Sequence, residues 1–144
     1  MYYRLDEQGG IIDYSASKYH EDCIFTANDI IVAWDGNAYV AGTEPAEPEA
    51  LVKARIQEAL TSAVQARLDT MARGYGYDDC HSACTYVDTG VAKFDAEGRA
   101  FRKWRSSVWA KCYEVLAEVN AGERAIPSED TLLGELPELF VKYE

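Results

Sequence analysis

The 144-residue chain has few features that would announce a chemistry. It has only two histidines, His20 and His81, and no Gly-rich phosphate loop, nucleophile elbow or His-Glu-x-x-His pattern. No apolar run approaches the roughly 20 residues needed to span a bilayer, and Met-Tyr-Tyr-Arg-Leu-Asp at the start contains no apolar signal core. The expectation is therefore a protein that stays where it is made, with no membrane partner. Clustered positive charge is scarce as well. A net charge of −11 opposes nucleic-acid binding, because affinity for phosphates comes from grouped Lys and Arg. Four cysteines, Cys23, Cys80, Cys84 and Cys112, are too scattered for a disulfide framework and read as thiols in a reducing cytosol.

What is present is apolar and aromatic. Nearly half the residues are hydrophobic and 12% are aromatic, enough for one real core in one or two small domains. The charge is unevenly spread. Residues 1–45 carry a net −6, residues 46–93 a net −2, residues 94–124 a net +1 and residues 125–144 a net −4. The exception to the acidic trend surrounds Phe101-Arg-Lys-Trp-Arg-Ser-Ser-Val-Trp, where two of three tryptophans meet Arg99, Arg102, Lys103 and Arg105. Such a helix suits docking onto a partner with apolar and acidic surface, and its basic side chains equally suit an ordinary solvated helix face.

The order of elements predicts an α+β fold. Tyr2 to Leu5, the turn Glu7-Gln8-Gly9-Gly10 and Ile11 to Tyr14 form one hairpin signal, and Ile30 to Ala33, Asp35-Gly36 and Ala38 to Val40 form another. With a short strand somewhere in His20–Thr26, residues 1–41 read as a small antiparallel β module, too slight to stand without something packed on one face. Residues 42–48, with Pro45 and Pro48, read as a linker. Residues 49–144 read as a helical module. One long helix is predicted over Glu49–Arg73, with Val52, Ile56, Leu60, Val64 and Leu68 on its stripe, and Gly74-Tyr-Gly76 ends it. An irregular segment, Tyr77–Val91, leads to a second long helix over Phe94–Asn120, forming a helical hairpin. Phe101, Trp104, Val108, Cys112, Val115 and Val119 make its buried stripe, with Trp109, Tyr113 and Leu116 beside it. A capped short helix follows Ser128 and stops before Pro137, and Leu139–Tyr143 is apolar enough to pack back or to engage a neighbour.

Candidate chemistry is thin. Cys80-His81-x-x-Cys84 suggests a metal, but zinc sites bring two paired ligand motifs, and Cys112 sits in an apolar helical stripe. A cysteine nucleophile would need His81 as its base, and neighbouring positions rarely reach attack geometry. Asp78 and Asp79 suit capping. A non-enzyme with no metal and no cofactor is the expectation. The tryptophans are the better candidates: five residues apart, Trp104 and Trp109 stand about 140° apart on a helix and cannot share one narrow seam, so either one faces the core and the other a contact surface, or both are internal.

An ordered string of residues carries a resemblance. Leu68-Asp, Ala72-Arg-Gly-Tyr-Gly-Tyr-Asp, Ser82-Ala-Cys-Thr-Tyr, Phe94-x-Ala-Glu-Gly-Arg-Ala-Phe, Trp104-Arg-Ser-Ser-Val-Trp-Ala-x-Cys-Tyr, Ala121-Gly-Glu-Arg-x-x-Pro-Ser and Glu135-Leu-Pro occur in that order. The string, over about residues 64–137, resembles a family of small bacteriophage and prophage proteins of the tail region. The Met-Tyr-Tyr-Arg opening also looks like the start of tail fibre assembly proteins. The resemblance implies a helper of tail fibre folding or attachment, or a structural minor tail protein or adaptor kept in the virion. It implies a tail fibre or other tail protein as partner, a possible homo-oligomer, and a place in the host cytoplasm or the virion tail. It brings no catalytic residues. Its recurrent positions map onto Trp104, Arg105, Trp109, Tyr113, Tyr77 and Tyr86 as packing or contact positions.

Overall fold

Asp6 shapes the first turn: its Oδ1 accepts the backbone N–H groups of Gln8 and Gly10 at 2.9 and 2.7 Å, so the side chain replaces the turn's missing backbone acceptors. The computed structural model describes all of residues 1–144. On either side of this turn run β1 (Tyr2–Leu5) and β2 (Ile11–Ser15), paired antiparallel with a bulge after Arg4. β3 (Ile24–Phe25) pairs with β1, and β4 (Ile30–Val32) pairs with β5 (Ala38–Val40). Asp35 performs in the second hairpin the service Asp6 performs in the first, accepting from the Asn37 N–H at 2.9 Å. The result is a five-stranded antiparallel sheet of order β3-β1-β2-β5-β4. Four helices follow, and the fold is α+β.

α1 (Glu49–Gly74) begins directly after Pro48 and buries Val64, Leu68 and Ala72, the last three turns of its four-spaced stripe. Towards its start, Val52, Ile56 and Leu60 are only half-buried. Its C-terminus closes with the Tyr77 N–H on the Ala72 carbonyl at 3.0 Å, a closure that needs Gly76 at φ 93° and that turns Tyr77 back towards the core. The segment expected to be irregular contains a helix, α2 (Cys80–Thr85), capped by Asp79 through the Ser82 N–H at 2.6 Å. Six residues are too few to leave a readable period, which is why only the cap was visible in the sequence. α3 (Ala92–Asn120) carries the widest buried stripe, and α4 (Glu129–Glu135) is capped by Ser128.

The chain divides into two compact units, Met1–Lys53 and Ala54–Glu144. The division falls in the second turn of α1, a few residues beyond the 42–48 segment. In the helical unit Val64, Leu68, Phe101, Trp104, Val108, Val115, Leu132 and Leu136 share one core. In the sheet unit a single apolar side chain, Ile30, reaches burial.

Candidate functional site

The helical unit concentrates its unusual features where α2 and the start of α3 meet. Asp95, in the first turn of α3, accepts from both the backbone N–H and the hydroxyl of Thr89, at 2.6 and 2.8 Å. That pins the turn ahead of the helix. One turn further, a Cβ on Gly98 would lie 1.8 Å from the Tyr86 carbonyl oxygen, so only glycine lets the chain leaving α2 cross α3 this closely. The crossing brings Tyr86 over Tyr77 (ring centroids 4.9 Å apart) and beside Phe94 (5.6 Å). Tyr77 and Tyr75 both meet Phe101 edge-on, and Phe101 meets Trp104 in the same way at 5.9 Å. Six aromatic rings therefore form one connected group.

A carboxylate lies at its centre. Glu97 is 2% exposed, and each of its oxygens accepts a phenol: Oε2 from Tyr77 at 2.5 Å, and Oε1 from Tyr143 at 2.8 Å. Lys93 Nζ stands 4.0 Å from Oε1. Burying a charge is costly unless it is paired and hydrogen-bonded, and here two hydroxyls and an ammonium share that task. The neighbours respond. Burial, and then the bond to Glu97, hold the Tyr77 phenol well above its usual range, and the bond to Glu97, aided by burial, pushes Tyr143 up to about 12. Both phenols stay protonated at neutral pH and act as donors.

The cysteine segment has a different character. Cys80 is fully buried and Cys84 partly so; burial, then the neighbouring Cys84, push the Cys80 thiol up to about 12. A thiol held protonated is a poor nucleophile and a poor ligand. His81 is exposed. No group of three or more His, Cys, Asp or Glu side chains converges as metal ligands.

Of the six positions singled out in the sequence, the structure separates the inner from the outer. Trp104 and Tyr77 are interior: Trp104 is 5% exposed and its indole N–H donates to the Pro137 carbonyl at 2.7 Å. They are packing residues, because a side chain with its polar atom bonded and its ring enclosed has nothing left to offer a partner. Arg105 and Trp109 are half-buried, Trp109 against the core. Tyr86 is 37% exposed and Tyr113 72% exposed. The 140° separation of the two indoles thus sends Trp104 inward and leaves Trp109 at the margin. Sequence reading missed Glu97 and Tyr143. The available signal was a carboxylate in phase with Phe101, Trp104 and Val108 on the buried stripe, a position where a charge needs a partner from elsewhere.

No protein-family model, no curated protein and no solved structure matches the chain. No helix is long and apolar enough to cross a membrane.

Proposed function

We propose that the protein is a phage tail assembly factor, a non-enzymatic helper of tail fibre folding or attachment. The observation that carries the assembly role is the amount of aromatic and aliphatic surface left in solvent on a strongly acidic chain. Tyr113 and Phe140 are 72% and 80% exposed in the helical unit, and Phe25, Val32 and Ile12 are 63%, 62% and 57% exposed in the sheet unit. We read the most exposed of these side chains, Tyr113 and Phe140, as contact positions for a partner, which would make them part of an exposed apolar patch. Arg102 is exposed about three turns before Tyr113 and close to the same face of α3, which gives that face both a basic and an aromatic side chain, types favoured at interface hot spots. The tail setting rests on the ordered string between residues 64 and 137 and its resemblance to small tail-region proteins.

Co-expression with the product of a neighbouring fibre gene tests the reading. A soluble complex is expected with the parent chain. Tyr113→Ala and Arg102→Glu should each reduce its recovery at least tenfold with unchanged circular dichroism, since losing an interface contact worth about 1.4 kcal/mol weakens binding tenfold. Fibre solubility and co-purification that are indifferent to the protein would sink it. Retention in the particle as a minor tail component is the competing reading, favoured by the high exposure of Phe140. Mass spectrometry of purified virions separates the two.

A further inference from the structure

After α4 the chain runs from Leu136 to Glu144 without regular structure. Beyond Leu136, whose N–H reaches the Leu133 carbonyl at 3.4 Å, no backbone-to-backbone hydrogen bond holds any residue of this segment. Instead it is fixed at two points on α3. The Pro137 carbonyl receives the Trp104 indole N–H at 2.7 Å, and the Tyr143 hydroxyl donates to Glu97 Oε1 at 2.8 Å. The two α3 anchors are seven residues, or roughly 10 Å of helix axis, apart. Between them Leu139 turns in against the core, while Phe140 is left 80% exposed.

The distribution of contacts is informative. A segment optimised for static packing would bury Phe140, its largest apolar side chain. This one leaves that side chain in solvent; beyond buried Leu136 it is held by Leu139, by half-buried Pro137 and Val141, and by two hydrogen bonds to side chains of α3. Such segments occupy the low end of local stability, opening without the rest of the fold. The catch is also well placed for release. Glu97 keeps the Tyr77 hydroxyl and the Lys93 ammonium when Tyr143 leaves, so the buried charge is not orphaned by opening.

We propose that Pro137–Glu144 is a releasable strap over α3, latched by the Tyr143–Glu97 bond, whose opening uncovers the Glu97–Trp104 face of the helix. The two anchors open together. Loss of the Tyr143 catch therefore loosens the Trp104–Pro137 bond at the other end.

Proton exchange at the Trp104 indole N–H, followed by NMR on the full chain, reads this directly. In Tyr143→Phe the indole proton should exchange about tenfold faster, the effect of removing one charge-assisted bond. The amides of Val64 and Leu68 on α1 should keep their parent rates. A chain truncated after Val141 should behave the same way, which separates loss of the catch from any effect of the phenylalanine. An unchanged indole rate in both variants would show two independent anchors and overturn the strap. Equal acceleration of the indole and of the α1 amides would also overturn it, because the bond would then simply support the whole fold.

Discussion

The sheet unit and the helical unit keep their structure by different means. Twelve of the thirteen buried apolar side chains lie in Ala54–Glu144, and the sheet unit contributes only Ile30. Helices α1 and α3 each offer a continuous stripe, and stripes from two long helices can enclose each other. A five-stranded sheet with strands of two to five residues has two faces and little side-chain depth. Its order rests on the backbone ladder, on the Asp6 and Asp35 turns, and on the Arg4–Asp13 pair, to which the Tyr19 hydroxyl adds a donor. Polar contacts in solvent contribute little each, whereas burial contributes with area. The same acidic chain thus has one region held by a buried apolar core and one held mainly by backbone and polar contacts, and both leave some large apolar side chains in solvent.

The largest test of this contrast deletes the same ring in each region. Phe101→Ala removes a fully buried ring and should cost about 3–5 kcal/mol in denaturant unfolding. Phe25→Ala removes a 63% exposed ring whose clearest contact is Tyr2 at 5.2 Å, and should cost about 0.5–1 kcal/mol. Similar losses at both positions would break the comparison.

Gly98→Ala comes next. The added methyl meets backbone, which cannot swing aside as a side chain can, and about 3 kcal/mol is expected, read as a lower melting temperature of the helical unit. Glu97→Gln should cost about 1–3 kcal/mol, because one phenol then faces an amide N–H in place of an acceptor. Spectrophotometric titration at 295 nm should also show the Tyr77 and Tyr143 phenols returning towards their ordinary range, since Glu97 raises both.

The pH limbs give the smallest effects and sharpen the comparison. Tyr143 has its folded value raised from 10.0 to about 12, so the unfolded chain gives up that proton first. Its contribution is complete below pH 10 and is lost between 10 and 12, and Tyr143→Phe should flatten part of that alkaline fall. Asp13 in the sheet unit has the opposite sign. Held by Arg4 and then Tyr19, it is lowered from 3.8 to about 2, so its contribution is present above pH 3.8 and disappears on the way down to 2. Asp13→Asn should flatten the acid limb, and because Asp13 also helps hold the Tyr19 phenol up it should shift part of the alkaline limb as well, with circular dichroism as the measurement for both.

The candidate site was unevenly legible. Trp109 and Tyr113 are visible as a second stripe on a wide helix, since helical period alone sets which side chains share a face. That Tyr113 stands out while Trp109 leans on the core depends on how far the neighbouring elements reach. Glu97 looked like one more carboxylate among 25 acidic residues. Its role needs Tyr77 and Tyr143, which lie 20 and 46 residues away, and no local pattern encodes a contact of that span.

Read alone, the sequence determines the α+β order, the turns at Glu7–Gly10 and Asp35-Gly36, the two long helices with their stripes, the cap at Ser128 and a capping role for the Asp78-Asp79 pair. These follow from interactions within a few residues, so period and capping chemistry suffice. Tertiary structure alone decided which indole is enclosed, why position 98 must be glycine, and where the C-terminal segment is latched. Each of these is a meeting of atoms distant along the chain, fixed by how much surface the helical core can cover.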